Sequence, residues 1–258
     1  MRSRFLTLHL FATVLLYYGC SQTADQSSES QQPAELSQPQ PLVEEVLSAE
    51  QQAALTPDDV VNLLKEGNQR FMNNDLTMRD HSAQVRQTTL AQFPKAIILS
   101  CVDSRVPVED VFDRGIGDIF VARVAGNFVN EDILGSMEFA CKVSGAKLIL
   151  VMGHEHCGAV MAAVDDVKLG NITPMLEKIK PAVEASADYE GDKSATNEEF
   201  VHMVCENNVR LTMQQIRERS PILKEMEELG EIKIEGAIYD MDNGRVTFME
   251  ASPTALAE

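Results

Sequence analysis

Four short apolar runs constrain this chain more than any other feature: Ala96-Ile97-Ile98-Leu99, Ile119-Phe120-Val121-Ala122, Leu148-Ile149-Leu150-Val151-Met152 and Ile232-Lys233-Ile234-Glu235-Gly236-Ala237-Ile238. Helix-like segments separate them. Apolar runs of strand length divided by helices predict strands buried on both faces, and so a mostly parallel central sheet flanked by helices, an α/β fold. The last run is followed, across the turn sequence Asp242-Asn243-Gly244, by Arg245-Val246-Thr247-Phe248-Met249. That spacing predicts a hairpin and an antiparallel edge strand. Upstream of the sheet, Thr56-Pro57-Asp58-Asp59 predicts a helix start: an N-cap, a proline in the first turn and two acids facing the positive dipole end. Val60, Val61, Leu63, Leu64 and Phe71 then recur at helical spacing. Between Leu169 and Arg219 the chain reads as helices broken by a polar loop at 189–192.

The chain has 258 residues, 44% of them hydrophobic, enough to bury one sizeable core. Its first residues, Met-Arg-Ser-Arg, precede an apolar run from Phe5 to Tyr18 and then Gly19-Cys20, the regions of a secretory signal. Gly19-Cys20 resembles the lipobox of bacterial lipoproteins, with Tyr17 and Tyr18 departing from its usual small and aliphatic residues. The expectation is therefore a signal over 1–20 and an exported, periplasmic or membrane-anchored protein, with a possible lipid anchor through Cys20. Ordinary cleavage further on and an uncleaved anchor are the alternatives. Residues 21–50, rich in Gln, Ser, Pro and Glu, are expected to form a disordered linker, and 51–258 the folded domain. The net charge of −18 repels nucleic acid and anionic lipid, so nucleic acid is excluded as a natural partner. Any anion site has to be built locally from a few donors.

In open α/β sheets ligands bind beyond the carboxyl ends of the strands. Two such ends carry chemistry: Cys101-Val102-Asp103-Ser104-Arg105 and Gly153-His154-Glu155-His156-Cys157-Gly158. Cys101, His154 and Cys157 offer two thiolates and one imidazole, a donor set that suits zinc, and three protein ligands leave a fourth position open, as in catalytic zinc sites. Two disulfides among Cys101, Cys141, Cys157 and Cys205 are the competing reading for an exported chain. A domain of this size needs no such staples, so Cys141 and Cys205 are expected as buried free thiols in helices. Asp103 and Arg105 lie at alternate positions after Cys101, so an extended segment would point all three to one side. Asp103 would then orient water at the metal, and Arg105 would hold Asp103 ionised through a charge-assisted pair. At Gly158 a bare backbone allows close approach of a small planar ligand.

Cys-x-Asp-x-Arg, followed about fifty residues later by Gly-His-x-x-Cys-Gly, resembles the signature of the β-class carbonic anhydrases. The resemblance extends through 63–71, Arg123-Val124-Ala125-Gly126-Asn127 and Asn208-Val209-Arg210, and so covers the folded part. It implies one Zn2+ per chain and the reversible hydration of carbon dioxide to bicarbonate and a proton. It also implies a substrate-binding glutamine at Gln92, an apolar CO2 pocket at Phe120, Ala125 and Phe139, and a homodimer or higher homo-oligomer whose interface the pocket straddles. Some members close the site with the aspartate as fourth ligand, which here would be Asp103, and carry a tryptophan in a separate bicarbonate site. This chain has no tryptophan, which favours the open form. Hydrolysis of carbon disulfide or carbonyl sulfide on the same fold, and a non-catalytic zinc and bicarbonate sensor, are the rival functions. His202 and Cys205, three apart on one helix, mimic a second metal pair, but their apolar neighbours favour packing. His156 is a candidate proton relay at the site's edge.

Overall fold

Alternation within the apolar runs decides how this protein is layered. The computed structural model describes residues 41–250; the signal, Cys20, residues 21–40 of the linker and 251–258 lie outside the described residues. The strands are β1 (Ala96–Ser100), β2 (Ile119–Arg123), β3 (Leu148–His154), β4 (Lys233–Tyr239) and β5 (Val246–Phe248). Ile97 and Leu99 of β1 and Ile149 and Val151 of β3 pack on one face with Val209 and Ile216. Ala96, Ile98, Leu148, Leu150 and Met152 pack on the other with Val60, Leu64 and Phe112. Two helical layers therefore sandwich one sheet, each face reading every second residue.

The sheet order is β2-β1-β3-β4-β5. The first four strands are parallel, and β5 returns antiparallel to β4, as the hairpin sequence predicted. Gly244 takes φ 78° in that turn, a conformation open to glycine at little cost. Register aligns Leu99 with Ala122 on one side and Val151 on the other, so the carboxyl ends of β1, β2 and β3 finish as neighbours. Each residue of β2 is only half-buried, because β2 is the sheet's parallel edge. The reading of every run as buried on both faces thus fails for β2; an apolar run does not reveal whether a neighbour in the same chain covers it.

The helices are α1 (Ala49–Ala54), α2 (Pro57–Met72), α3 (His81–Gln87), α4 (Val108–Val111), α5 (Glu131–Glu138), α6 (Gly158–Val164), α7 (Ile172–Leu176), α8 (Lys180–Ala185), α9 (Glu198–Arg219) and α10 (Pro221–Glu228). A single π-turn, Phe139–Val143, extends α5. At α2 the expected start is formed by a capping box in which Thr56 accepts from the Asp59 amide and Asp59 from the Thr56 amide.

Residues 41–50, expected at the end of the linker, are docked instead. The Val43 amide donates to Met78 (2.8 Å), the Asp80 amide donates to Val43 (3.0 Å), and Gln52 of α1 reaches the carbonyls of Pro94 (2.7 Å) and Ser144 (2.8 Å). Backbone pairing and a buried glutamine hold this strap. A judgement from apolar content does not register either.

The 22-residue α9 lies close against the sheet. A Cβ on Gly153 of β3 would stand 2.8 Å from the Cys205 sulfur, and one on Gly236 of β4 would stand 2.8 Å from a Val209 methyl. Glycine at both positions is what lets the helix backbone approach.

Candidate metal centre

Cys101 directly follows β1, His154 ends β3, and Cys157 caps α6 three residues later. Because β1 and β3 are adjacent and in register, their ends bring the three side chains together; their ligand atoms all lie within 4.8 Å of one another, and all three residues are buried. No other such metal-ligating group occurs among the described residues. His154 Nδ1 faces the Glu155 carbonyl at 2.8 Å, which assigns the proton to Nδ1 and leaves the lone pair on Nε2. Nε2 is buried and has no hydrogen-bond partner. Such an orphaned acceptor beside two sulfurs is costly as it stands and is what a zinc ligand looks like. The Cys157 sulfur lies beside Cys101 and, as the largest effect, holds the Cys101 thiol well below the usual thiol range; the same coupling, with burial, pushes Cys157 up. A divalent cation would suit both sulfurs as thiolates. The residues therefore fit zinc.

The segment after Cys101 is bent where an extended one was expected. Asp103 accepts from the Arg105 backbone amide (3.0 Å), turning the chain, and its two oxygens then take a fork from Arg105 Nε (2.9 Å) and Nη2 (2.8 Å). Short Asp side chains favour such local turns, so the pair forms by folding back and not by strand alternation. Arg105, whose guanidinium also donates to the His156 carbonyl (3.3 Å), holds the Asp103 carboxyl far below the usual carboxylate range. Asp103 Oδ2 stands 4.0 Å from His154 Nε2. Arg123, at the end of β2, clamps the bend from behind through the carbonyls of Asp103 (3.3 Å) and Val106. The sequence reading gave Arg123 no role; an arginine ending the strand next to the ligand-bearing one is the signal that was available.

The pocket residues are less concentrated. Gly158, the first residue of α6 and next to Cys157, is exposed, and a Cβ there would meet nothing within 4 Å, so its Cα faces open space. Phe120 and Phe139 meet edge to face with ring centroids 6.3 Å apart, and both line an open groove of about 720 Å3 beside β2 and α5. Ala125 sits in the turn beyond β2 and is half-buried. Gln92 is exposed and precedes β1, close to Gly117 at the amino ends of the strands. One five-residue strand, roughly 16 Å at about 3.3 Å per residue, separates it from Cys101. Within one chain Gln92 does not join the triad.

Cys141 and Cys205 are buried free thiols on the π-turn and α9, as expected, and burial pushes each up to about 12. Cys205 donates to the His154 carbonyl (3.4 Å), while His202 points to the carboxylates of Glu155 and Glu206 (3.6 Å each), so the two do not converge on a metal. His156 is exposed at φ 51°.

This geometry, a thiolate-imidazole-thiolate cluster at the carboxyl ends of two parallel strands with a forked aspartate beside it, defines a catalytic metal protein of the open α/β kind. The family model for carbonic anhydrase matches residues 96–246. Carbonic anhydrase 2 of Mycobacterium tuberculosis is 35% identical over 193 residues, spanning 72% of this chain and 90% of that protein. The carbonic anhydrase of Mycolicibacterium smegmatis is 34% identical over 191 residues, 71% of this chain and 88% of that one. A solved β-carbonic anhydrase of Aspergillus fumigatus superposes with a TM-score of 0.59 at 26% identity, covering 67% of this chain and 84% of that chain. This chain belongs to the carbonic anhydrase family, in its β class. Its reaction is the zinc-dependent, reversible hydration of carbon dioxide to bicarbonate and a proton.

Proposed function

We propose that Cys101, His154 and Cys157 hold the zinc, and that Asp103 and Arg105 run its chemistry in the open form, with Asp103 off the metal. The orphaned, buried Nε2 of His154 beside two sulfurs carries this assignment. Zinc, when bound, supplies an acidified water near neutral pH, an established property of the metal in carbonic anhydrases. With zinc bound, Asp103, whose Oδ2 stands 4.0 Å from His154 Nε2, would accept that water's hydrogen. Arg105 keeps the carboxylate ionised and occupies both its oxygens from one side, so the remaining lone pairs are fixed in direction. The fork also argues for the open form, since an aspartate held this way is already committed to arginine. Open space at Gly158 leaves room for a small planar substrate, and neutral CO2 suits apolar walls, which Phe120, Ala125 and Phe139 would supply across an interface between two copies. Bicarbonate forms when the water oxygen bonds to the CO2 carbon, with one proton released to solvent.

We propose further that the protein works as a homodimer or higher oligomer. A half-exposed parallel edge, β2, and a Phe139 that is 53% exposed beside an open groove support a second copy on this side. Gln92, distant from the triad of its own chain, then reaches the site of its partner. Export, with Cys20 as a lipid anchor, is proposed from the signal-like start of the sequence, and mass spectrometry of the mature amino terminus tests it.

Stopped-flow CO2 hydration across pH, with zinc measured on the same sample, tests the residue assignment. Fast hydration with one zinc per chain, both lost in Cys157→Ser, is the expected result. A Cys157→Ser enzyme that keeps both would overturn the assignment.

A further inference from the structure

One helix contacts both ligand-bearing segments from outside the metal centre. Cys205 and Asn208, three apart on α9 and therefore on one face, are each buried, at 1% and 2% exposure. Cys205 donates to the carbonyl of His154 (3.4 Å). Asn208 Nδ2 donates to the carbonyl of Gly126 (2.8 Å), and the amide of that same Gly126 donates to the sulfur of Cys101 (3.4 Å). Gly126 lies in a turn closed by the Asn127 amide on the Val124 carbonyl (2.9 Å), with φ 82° at Gly126 and 41° at Asn127. The first residue of the turn, Val124, donates to the Ser100 carbonyl (3.2 Å), and the pairing of β1 with β2 goes no further toward Gly126. Ile179 packs against it so closely that a Cβ on Gly126 would stand 2.3 Å from its terminal methyl, and Asn208 is the polar tie.

We infer that Asn208 is a positioning residue for the metal centre: by holding the Gly126 carbonyl it keeps the Gly126 amide aimed at the Cys101 sulfur, and so sets how firmly that thiolate holds zinc. An N–H donor to a thiolate withdraws charge from the sulfur and fixes its orientation, and loss of such outer partners weakens metal binding by about 10- to 100-fold. A buried asparagine on a helix face is costly unless its amide is used, and here its use is directed at the turn that serves a ligand. This rests on Cys101 being a zinc ligand.

The test compares Asn208→Ala with Ile216→Ala, a cavity in the same helix two turns away at a fully buried core position. Two quantities are read on purified enzyme: the rate of zinc loss to a chelator, and the thiolate-to-metal charge-transfer band of the cobalt(II)-substituted form. Asn208→Ala is expected to lose zinc about tenfold faster or more and to shift the band, whereas Ile216→Ala loses stability and changes neither. Wild-type zinc loss and an unshifted band in Asn208→Ala overturn the inference. Should Asn208→Ala not fold, Asn208→Ser, read by the same two measurements, decides it. A wild-type cobalt enzyme with no thiolate band instead overturns the ligand assignment, a distinguishable failure.

Discussion

The two ends of the sheet treat buried polar groups in opposite ways. At the amino ends of β1 and β2 they are saturated. Asp113, with a fully buried side chain, accepts from Arg70 (2.5 Å), Thr77 Oγ1 (2.7 Å) and Arg79 (2.6 Å), and Lys95 pairs with Asp118. At the carboxyl ends, Ser100 Oγ, both side-chain polar atoms of Asn127 and His154 Nε2 are buried without hydrogen-bond partners. Those are the orphaned side-chain atoms found among the described residues, and they all belong to the loops and strand ends around the metal centre. One pole is built for stability and the other for a ligand, because unmet polar groups are tolerated where something else completes them.

Changing one proposed ligand should have the largest effect of all. Cys157→Ser is expected to lower kcat/KM for CO2 hydration by more than about 10³-fold with loss of zinc, while melting shifts little, because the stabilising network sits at the other pole. A large loss of stability with activity per folded enzyme preserved would break the division between the ends. At the saturated pole the reverse holds: Asp113→Ala should cost about 3 kcal/mol of stability, since two arginines lose their buried partner, and leave activity per folded enzyme unchanged. Burial alone would raise the Asp113 carboxyl, but the bonds from Arg79, Thr77 and Arg70 overcome it and hold it at about 2. Its contribution is therefore present above the unfolded value near pH 4 and is lost as pH falls from about 4 to about 2. Denaturant melts of wild type and variant should converge over that window.

Asp103→Asn sharpens the comparison within the ligand pole. It removes the charge and one lone-pair set without touching a zinc ligand, so about a 10²-fold fall in kcat/KM with zinc retained is expected. Zinc loss on the same scale as Cys157→Ser would make Asp103 a metal ligand. The smallest effect is expected at the groove. Phe139→Lys should shift the oligomer toward monomer in analytical ultracentrifugation and lower hydration about tenfold, roughly 1.4 kcal/mol of barrier. A monomer of full activity would show that one chain completes its own pocket.

Much of the fold and of the metal centre is legible in the amino-acid sequence. The apolar runs at 96–99, 119–122, 148–152 and 232–238 locate four of the strands, because strands covered by helices need continuous apolar stretches. The chemistry at Cys101, His154 and Cys157 follows from rare residue types placed just past two of those runs. What stays hidden depends on pairing between distant positions. The docked strap at 41–50 is held by backbone bonds to 78–80 and by Gln52, neither of which has a periodic pattern. The Asp103 bend is a local hydrogen-bond choice that competes with the extended form. Arg123 and Asn208 act on backbone carbonyls, and a carbonyl carries no residue identity for a sequence to display.

X-ray absorption at the zinc edge of the purified enzyme tests the central claim, that two sulfurs and one imidazole hold the zinc, most directly. Two sulfurs near about 2.3 Å and one imidazole nitrogen near about 2.0 Å, with a light atom in the fourth position, is the predicted first shell. A shell with no sulfur, or with three or four, would contradict it.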